Sequence, residues 1–544
     1  MRRRLHLAVL AAATTLPAWA ALPTAFAKRA TEFMQFTDQS ILEMQVLHST
    51  KAMHLLGPYS RFHWNHPGPF FFYLLAPLYA LSGHATRSIW LSVWLLNVAC
   101  LVGIVCVVER SAGRLHAFVA GALLAWQVTC LGADALCDSW GPWVITLPFE
   151  LLAFLCVAVA TGRPQWLPLS ALVASFVAQT EVATLPTAAL LLAAGTASGL
   201  ALSANSSRGR AAFPARAWLR GAMLALGVGC VVWLPSIAEQ ASTRPGNLAK
   251  LWEFLGTERR PHTLFEAYAA ISEHFCTILR LDTLLRSSTS ASALRNPAQA
   301  TLVAMGGLLG LLPVALVSGQ RRGDRYVVAG SVIAIAGAFG ALLSATRAAG
   351  PLMSYLFLWT TGLGTLSVAM SVGELAARAM DGASRVHRDG RPLSDHLRAW
   401  SMPLGLVASA AAFSHSLSTF PSPPYFYGRP AADIMALAEP VEQYLQRERT
   451  EPVVRIVSEP VWGIVGGVLL KLYKDNVDFS VESAWLFMFG NEFAAPGKAS
   501  TFLVFGDSSY DESARTVPGC FLIAEKSGVF AYASVNDEEE DPCP

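Results

Sequence analysis

From residue 5 to residue 417 the chain repeats one pattern, an apolar run of about 20 residues followed by a short polar break. A helix of that length spans the hydrocarbon of a bilayer. The pattern therefore predicts about eleven membrane spans, near residues 5 to 27, 88 to 108, 115 to 131, 142 to 160, 166 to 183, 185 to 203, 219 to 237, 299 to 318, 326 to 344, 352 to 372 and 400 to 417. Two stretches interrupt the rule between the first and second spans. Over residues 38 to 55, Ile41, Met44 and Leu47 recur at helical spacing while Asp38, Gln45 and Ser49 fall on another face, which predicts an amphipathic helix lying in the membrane interface. Phe70 to Leu81 is apolar throughout but too short for a comfortable span, so it is expected at the membrane surface or dipping into it.

Beyond residue 418 the pattern changes. Pro421, Pro423 and Pro424 form a linker, and short β-branched or aromatic runs follow at 453–458, 477–482, 501–506 and 521–524. A helix-like apolar run from Val461 to Tyr473 lies among them, which predicts a compact α/β module. The expected fold is mainly α, a polytopic membrane helical bundle with juxtamembrane helices and a small C-terminal α/β domain. The expected domains are residues 1–417, with outside loops 28–87 and 238–298, and residues 418–544.

Composition excludes a soluble globule. Hydrophobic residues make up 53% of the 544 and charged residues only 14%, against roughly 25% charged in an average soluble domain. Charge placement sets the orientation, because Lys and Arg are retained in cytoplasmic loops. Alternate loops are basic: Arg110 and Arg114; Arg163; Arg208, Arg210, Arg216 and Arg220; Arg321, Arg322 and Arg325; Arg378, Arg385, Arg388, Arg391 and Arg398. This places the N-terminus in the cytoplasm and the C-terminal module outside, in a multi-pass protein of a bacterial inner membrane. The other set of loops includes the turn carrying Asp134 and Asp138, a turn near 184 and the turn at Arg347. Behind Arg2, Arg3 and Arg4 the first apolar run also resembles a signal peptide ending at Ala25, Phe26 and Ala27; its length favours an uncleaved anchor. The acidic run from Asp537 to Asp541 reads as a solvated tail. Cys520 and Cys543 share the outside module, where an oxidising compartment allows a bridge between them, whereas most of the other seven cysteines read as small apolar residues within spans.

Chemistry-bearing residues concentrate in the loop after the first span. Phe36-Thr37-Asp38-Gln39 opens a helix; Tyr59-Ser60-Arg61 follows, and His63-Trp64-Asn65-His66-Pro67-Gly68-Pro69 leads into Phe70. This arrangement resembles the GT-C superfamily of polytopic glycosyltransferases, which includes protein O-mannosyltransferases and lipid A aminoarabinose transferases. In that family the first outside loop opens with an acidic motif at the start of a juxtamembrane helix, and a His-Pro segment leads into a second one. Asp38 and Glu43 match the first part, His66, Pro67 and Pro69 the second, and Asp138 matches a further acid at a later outside turn. The resemblance covers roughly residues 5 to 200. It departs at Gln39, where the family often carries a second acid, so it supplies no paired carboxylate.

The resemblance implies transfer of a sugar from a polyprenyl-phosphate donor to a cell-envelope lipid or glycan acceptor on the outer face, with inversion. An acceptor hydroxyl needs a base, and Asp38 is the candidate. Glu43, five residues on, points about 140° away and takes a separate, substrate-binding role. Arg61, His63, His66 and Arg347 are candidates to meet the departing phosphate, with Arg244 a further outside cation. Glu181, near the end of a span, is a candidate pocket residue, and Arg347 with Tyr355 is similar to a late Arg and Tyr of some family members. Plainer readings stand beside these. Asp38 also suits a helix cap or first-turn acid, Glu43 a solvated interfacial charge, and the loop cations contacts with lipid headgroups. Five of the twelve histidines lie between His48 and His84, yet His63 and His66 alone are not a zinc signature, and no metal ligands are assigned. A magnesium or manganese ion bridging Asp38 to a lipid phosphate is chemically compatible, although the sequence offers no complete ligand set.

Two rival functions remain open at this point. Glu150 lies inside a span, as an acid in a proton-coupled transporter or flippase would, but no convincing internal repeat accompanies it. A non-enzymatic envelope assembly protein, with the tail binding partners, is the other. No phosphate-cradling glycine motif supports a sugar-nucleotide or ATP-driven reaction, and no nucleic-acid partner is expected. The basic-loop alternation makes a direct prediction: reporter fusions after Ser206 and Gly390 should report cytoplasm, and fusions after Gly246 and Ser509 the outside. A cytoplasmic signal from the fusion after Ser509 overturns the span count.

Overall fold

The computed structural model describes residues 2–25, 33–207, 214–257, 260–280, 298–388, 391–420, 429–495, 501–535 and 543. The Pro421–Pro424 linker, Arg208, Arg210, Phe26, Ala27 and the acidic run from Asp537 to Asp541 lie outside the described residues, as do residues 258–259 and 281–297 of the 238–298 loop. The chain forms two compact units. One comprises Met1–Ala25, Val93–Ile237 and Leu255–Pro424; the other comprises Phe26–Ser92, Ala238–Phe254 and Tyr425–Pro544.

The first unit is helical, and the chain is a multi-pass membrane protein. Nine helices among the described residues are long and apolar enough to cross a bilayer. The two other expected spans are helical as well. Leu167–Thr180 has only 14 residues, after a short 3-10 turn at Pro164–Trp166, and Leu393–Thr419 is long at 27 residues but diluted by Ser401, Ser409, Ser414, His415 and Ser416. Helices in lipid associate through close packing and buried hydrogen bonds, since lipid tails are as apolar as leucine. Leu185–Ser207 does so through Gly195 and Gly199, four residues apart: a Cβ on Gly195 would stand 2.9 Å from the Cys156 carbonyl oxygen, and one on Gly199 would strike the Val159 carbonyl. Hydrogen bonding is supplied by a chain of side chains in which Thr365 donates to Gln127 Oε1 at 2.9 Å and Gln127 Nε2 donates to Glu150 Oε2 at 2.8 Å. Glu150 is thus tied between three helices, as a buried acid in lipid must be.

In the second unit the helix Thr37–Lys51 departs from expectation. Every residue from Gln39 to Leu47 is buried, on all faces, so it is no interfacial amphipathic helix. Ile41 and Met44 join the core of the α/β module, with Ile434, Leu437, Val465, Val468, Leu469 and Phe505. The polar face is covered too, because the partner that covers it is some 400 residues away in sequence and invisible to local periodicity. Phe70–Leu81 is a helix with the expected limits. The module itself carries the expected strands, Val453–Ile456, Ser480–Val481, Thr501–Gly506 and Cys520–Lys526, and the helix Trp462–Lys474. The helix Ala431–Glu448 and the strand Val529–Val535 complete it.

The five strands run in the order 480–481, 453–456, 501–506, 529–535, 520–526. The first three are parallel, with Val454 opposite Leu503, and the last two add antiparallel as a hairpin. A disulfide joins Cys520 to Cys543, tying the chain end to that edge strand.

Three glycines decide how the Trp462–Lys474 helix meets Thr37–Lys51. A Cβ on Gly463 would lie 2.6 Å from Thr37 Cγ2, on Gly466 2.5 Å from Ser40 Oγ, and on Gly467 2.8 Å from the Gln35 carbonyl oxygen. No side chain fits at those separations. Gly466→Leu should therefore force the two helices apart and destabilise the unit by about 1–3 kcal/mol, the usual cost of overpacking. Faster proteolytic cleavage of the module in detergent-solubilised protein is the expected readout; an unchanged cleavage rate refutes the packing argument.

Candidate functional site

The second unit gathers the residues of the loop after the first span. Asp38 sits in the first turn of Thr37–Lys51, where the helix dipole favours an acid. It is not the cap, since the N-cap position is Phe36 and receives no side-chain capping bond. Its half-buried carboxylate instead accepts a hydrogen bond from the Tyr59 hydroxyl through Oδ1. The residue before it, Thr37, has φ of +52°, a left-handed conformation that a β-branched residue adopts at a cost of about 1–3 kcal/mol. Thr37 is held there by donating to Gln39 Oε1 at 2.9 Å and by the close approach of Gly463. Strain of this kind collects at functional sites.

Tyr59 is positioned by a hairpin-like turn. Gly57 N donates to His66 O at 3.1 Å, His66 N to Pro58 O at 2.8 Å and Ser60 N to Trp64 O at 2.9 Å. The far side of the turn is locked by a reciprocal pair: Asn247 Oδ1 accepts from Asn65 N at 2.7 Å, and Asn247 Nδ2 donates to Asn65 O at 2.8 Å. Glu239 Oε2 accepts from Asn247 N at 2.9 Å and holds the Asn247 helix start in place. Phe62, Trp64 and Phe254 cluster at ring separations of 4.7 to 6.3 Å.

The predicted cations divide. Arg61 and His63 are exposed, Arg61 over the Phe62 ring at 5.0 Å and His63 against Phe487 at 4.3 Å. His66 is buried, edge-on to Trp64 at 5.5 Å. Phe487 also approaches Tyr59, at 6.3 Å. Asp38, Tyr59, His63 and Phe487 are therefore brought into one neighbourhood, with Arg61 on the same turn.

Glu43 behaves differently from a solvated interfacial charge. It is fully buried, and its Oε1 accepts from Tyr79 at 2.9 Å, from Thr86 at 2.8 Å and from Lys474 at 2.5 Å. Burial, then the Glu43 carboxylate, push the Tyr79 phenol up, so it remains a donor. Helical geometry, about 140° between positions five apart, separates Glu43 from Asp38 as expected. In the loop that follows the same helix, His54 is 6% exposed. Burial first, and His48 second, push its imidazole down to about 4.

The four remaining candidates belong to the membrane-spanning unit. Asp138 is buried and accepts from Trp140 N at 2.8 Å; Tyr355 packs on the Trp140 ring at 5.0 Å, so these two share a neighbourhood. Glu181 is half-buried at the C-terminal cap of Leu167–Thr180. Arg347 is exposed at the end of Arg325–Thr346, and Arg244, in the second unit, is also exposed. Sequence reasoning missed Tyr59, Tyr79, Lys474 and Asn247. Tyr59 stands in a Gly-Pro turn beside other candidates and was legible there, whereas Lys474 and Asn247 gave no local signal.

The sequence matches no protein-family model and no curated protein. Solved structures do match. The chain is similar to ArnT from Cupriavidus metallidurans in the apo state, with a TM-score of 0.53 and 12% identity, over 96% of this chain and 97% of that one. It is similar to the same protein bound to undecaprenyl phosphate with a TM-score of 0.55 and 13% identity, over 96% and 98%. The likeness is one of fold and runs nearly the full length of both chains. The polytopic fold expected from the GT-C resemblance is the fold the chain has.

The Glu43–Lys474 pair yields a test. Lys474→Met leaves a buried carboxylate without its counter-charge and should destabilise the protein near the lower end of roughly 3–5 kcal/mol, because Lys474 is 23% exposed. Adding Glu43→Gln should restore much of that loss. Thermal unfolding of the single and double variants in detergent checks it, and a double variant no more stable than Lys474→Met overturns the assignment.

Proposed function

We propose that the protein is a membrane glycosyltransferase that moves a sugar from a polyprenyl-phosphate donor to a cell-envelope acceptor at the outer face of a bacterial inner membrane, with inversion. The observation that carries the reading is the Asp38 carboxylate, oriented by the Tyr59 hydroxyl at the strained start of a buried helix, in a chain whose fold is that of ArnT. The donor class is suggested by undecaprenyl phosphate in the ArnT complex. The orientation rests on the alternation of basic loops.

In the proposed reaction Asp38 removes the proton of the acceptor hydroxyl as its oxygen attacks the anomeric carbon. The bond between that carbon and the phosphate oxygen breaks on the opposite face, and polyprenyl phosphate departs with the electron pair. One attack from one side gives inversion. Arg61 and His63 supply exposed donors for the negative charge that develops on the leaving phosphate. His66, buried against Trp64, shapes the turn that carries them. Tyr59 is a positioning residue: it fixes one carboxylate oxygen. Substrate-binding roles for Glu43, Asp138, Glu181, Arg347 and Tyr355 belong to the same proposal, with that of Glu43 exerted through the buried network it anchors. A magnesium or manganese ion at the Asp38 carboxylate is compatible with this chemistry, and no step depends on it.

Asp38→Asn keeps size and shape while removing basicity. Because Asp38 is not the helix cap, the change should leave folding nearly intact and slow transfer about a hundredfold or more. Envelope glycan mass spectrometry of a deletion strain complemented at matched protein level reads the transfer. Undecaprenyl phosphate binding to the purified variant reads the fold. Wild-type glycan from Asp38→Asn removes the base role; failure of the wild-type protein to bind undecaprenyl phosphate removes the donor class.

A further inference from the structure

The C-terminal end of the Thr37–Lys51 helix holds a second cluster that the proposed transfer does not use. One imidazole nitrogen each of His48 and His54 and a carboxylate oxygen of Glu492 all lie within 4.8 Å of one another. The three come from different elements of the second unit. His48 is in the last turn of the helix, His54 lies in the loop that follows, and Glu492 is in the short 3-10 turn Asn491–Phe493 of the α/β module.

His54 and Glu492 are oriented by their surroundings. His54 is fixed through its backbone, whose carbonyl accepts from the Tyr73 hydroxyl at 2.6 Å, and through its ring, edge-on to Phe72 at 5.0 Å and to His48 at 5.7 Å. Its Nε2 is buried and, among the described residues, has no hydrogen-bond partner. A buried polar atom without a partner calls for one, because its desolvation costs about 1–3 kcal/mol. Glu492 is turned back over Gly490, whose φ of +112° is open only to glycine and where a Cβ would strike the carboxylate. Gln45, three residues before His48, donates to the Met488 carbonyl at 3.3 Å and brings the Glu492 segment alongside the helix.

We propose that His48, His54 and Glu492 form a zinc site. Two imidazoles and one carboxylate, with a fourth position for water, is a recognised zinc ligand set, and nitrogen ligands disfavour magnesium and calcium. Zinc bonds of about 2.0–2.1 Å place tetrahedral ligand atoms about 3.3 Å apart, so the three atoms need to close by no more than about 1.5 Å. His48 and Glu492, which are less buried than His54, have room to make that movement. The ion would tie the end of the Asp38-bearing helix and the start of the loop carrying Tyr59 to the α/β module. The inference is independent of the glycosyl-transfer reading.

The test uses the full-length protein, purified in detergent without a histidine tag. After chelator treatment and dialysis against zinc chloride, elemental analysis should give one zinc per chain. Cobalt loading should give the visible bands of a four-coordinate site. His54→Gln and Glu492→Gln should each weaken zinc binding by at least about tenfold and abolish those bands. Glu492 is exposed, so its glutamine variant should fold, and Gly490→Ala, which displaces the carboxylate, should act in the same direction. A sub-stoichiometric zinc content in the wild-type protein overturns the proposal, as does full retention of zinc in Glu492→Gln and Gly490→Ala.

Discussion

The second unit depends on one close contact, the packing of Thr37–Lys51 against Trp462–Lys474. Gly463, Gly466 and Gly467 let the two backbones approach to distances that exclude any side chain. This contact brings the Lys474 ammonium to Glu43, and without it the buried carboxylate would lack its counter-charge, at large cost. It also presses Gly463 against Thr37 and supports the left-handed backbone from which Asp38 projects. Packing, charge compensation and the placement of the candidate base are therefore consequences of the same interface.

Along the Thr37–Lys51 helix, successive polar residues meet different demands. Asp38 takes a hydrogen bond from Tyr59, Glu43 closes a buried network, Gln45 reaches the Met488 carbonyl, and His48 meets His54 and Glu492. On a surface helix these side chains would face water. Here they are directed to partners from the following loop and the distant module, and the helix forms because those partners satisfy it. The hydrophobic stripe of Ile41, Met44 and Leu47 accounts for only one of its faces.

The membrane-spanning unit solves a different problem with related means. Its helices are held by small residues at Gly195 and Gly199 and by the Thr365–Gln127–Glu150 chain, since apolar side chains gain little by leaving lipid for one another. Glu150 is accounted for by that chain. Its presence in a span, read alone, also suited proton coupling; the observed partners give it a structural use.

The order of spans, the Phe70–Leu81 helix and the strands of the module were legible in the sequence, because hydrophobic length and period report directly on lipid thickness and on strand alternation; the candidacy of Asp38 came instead from the resemblance of its loop to the GT-C family. The Cys520–Cys543 pairing was legible for a similar reason, as two cysteines in one small module. Local pattern was silent where a contact joins residues far apart in the chain. Lys474 lies 431 positions from Glu43, Asn247 lies 182 from Asn65, and Glu492 follows His48 by more than 400. Periodicity told which face of Thr37–Lys51 is apolar, but only tertiary packing decided that its polar face is buried as well. The reason is physical: a half-polar helix is stable at an interface or in a core, and the choice is made by whether another part of the chain supplies its hydrogen bonds and counter-charges.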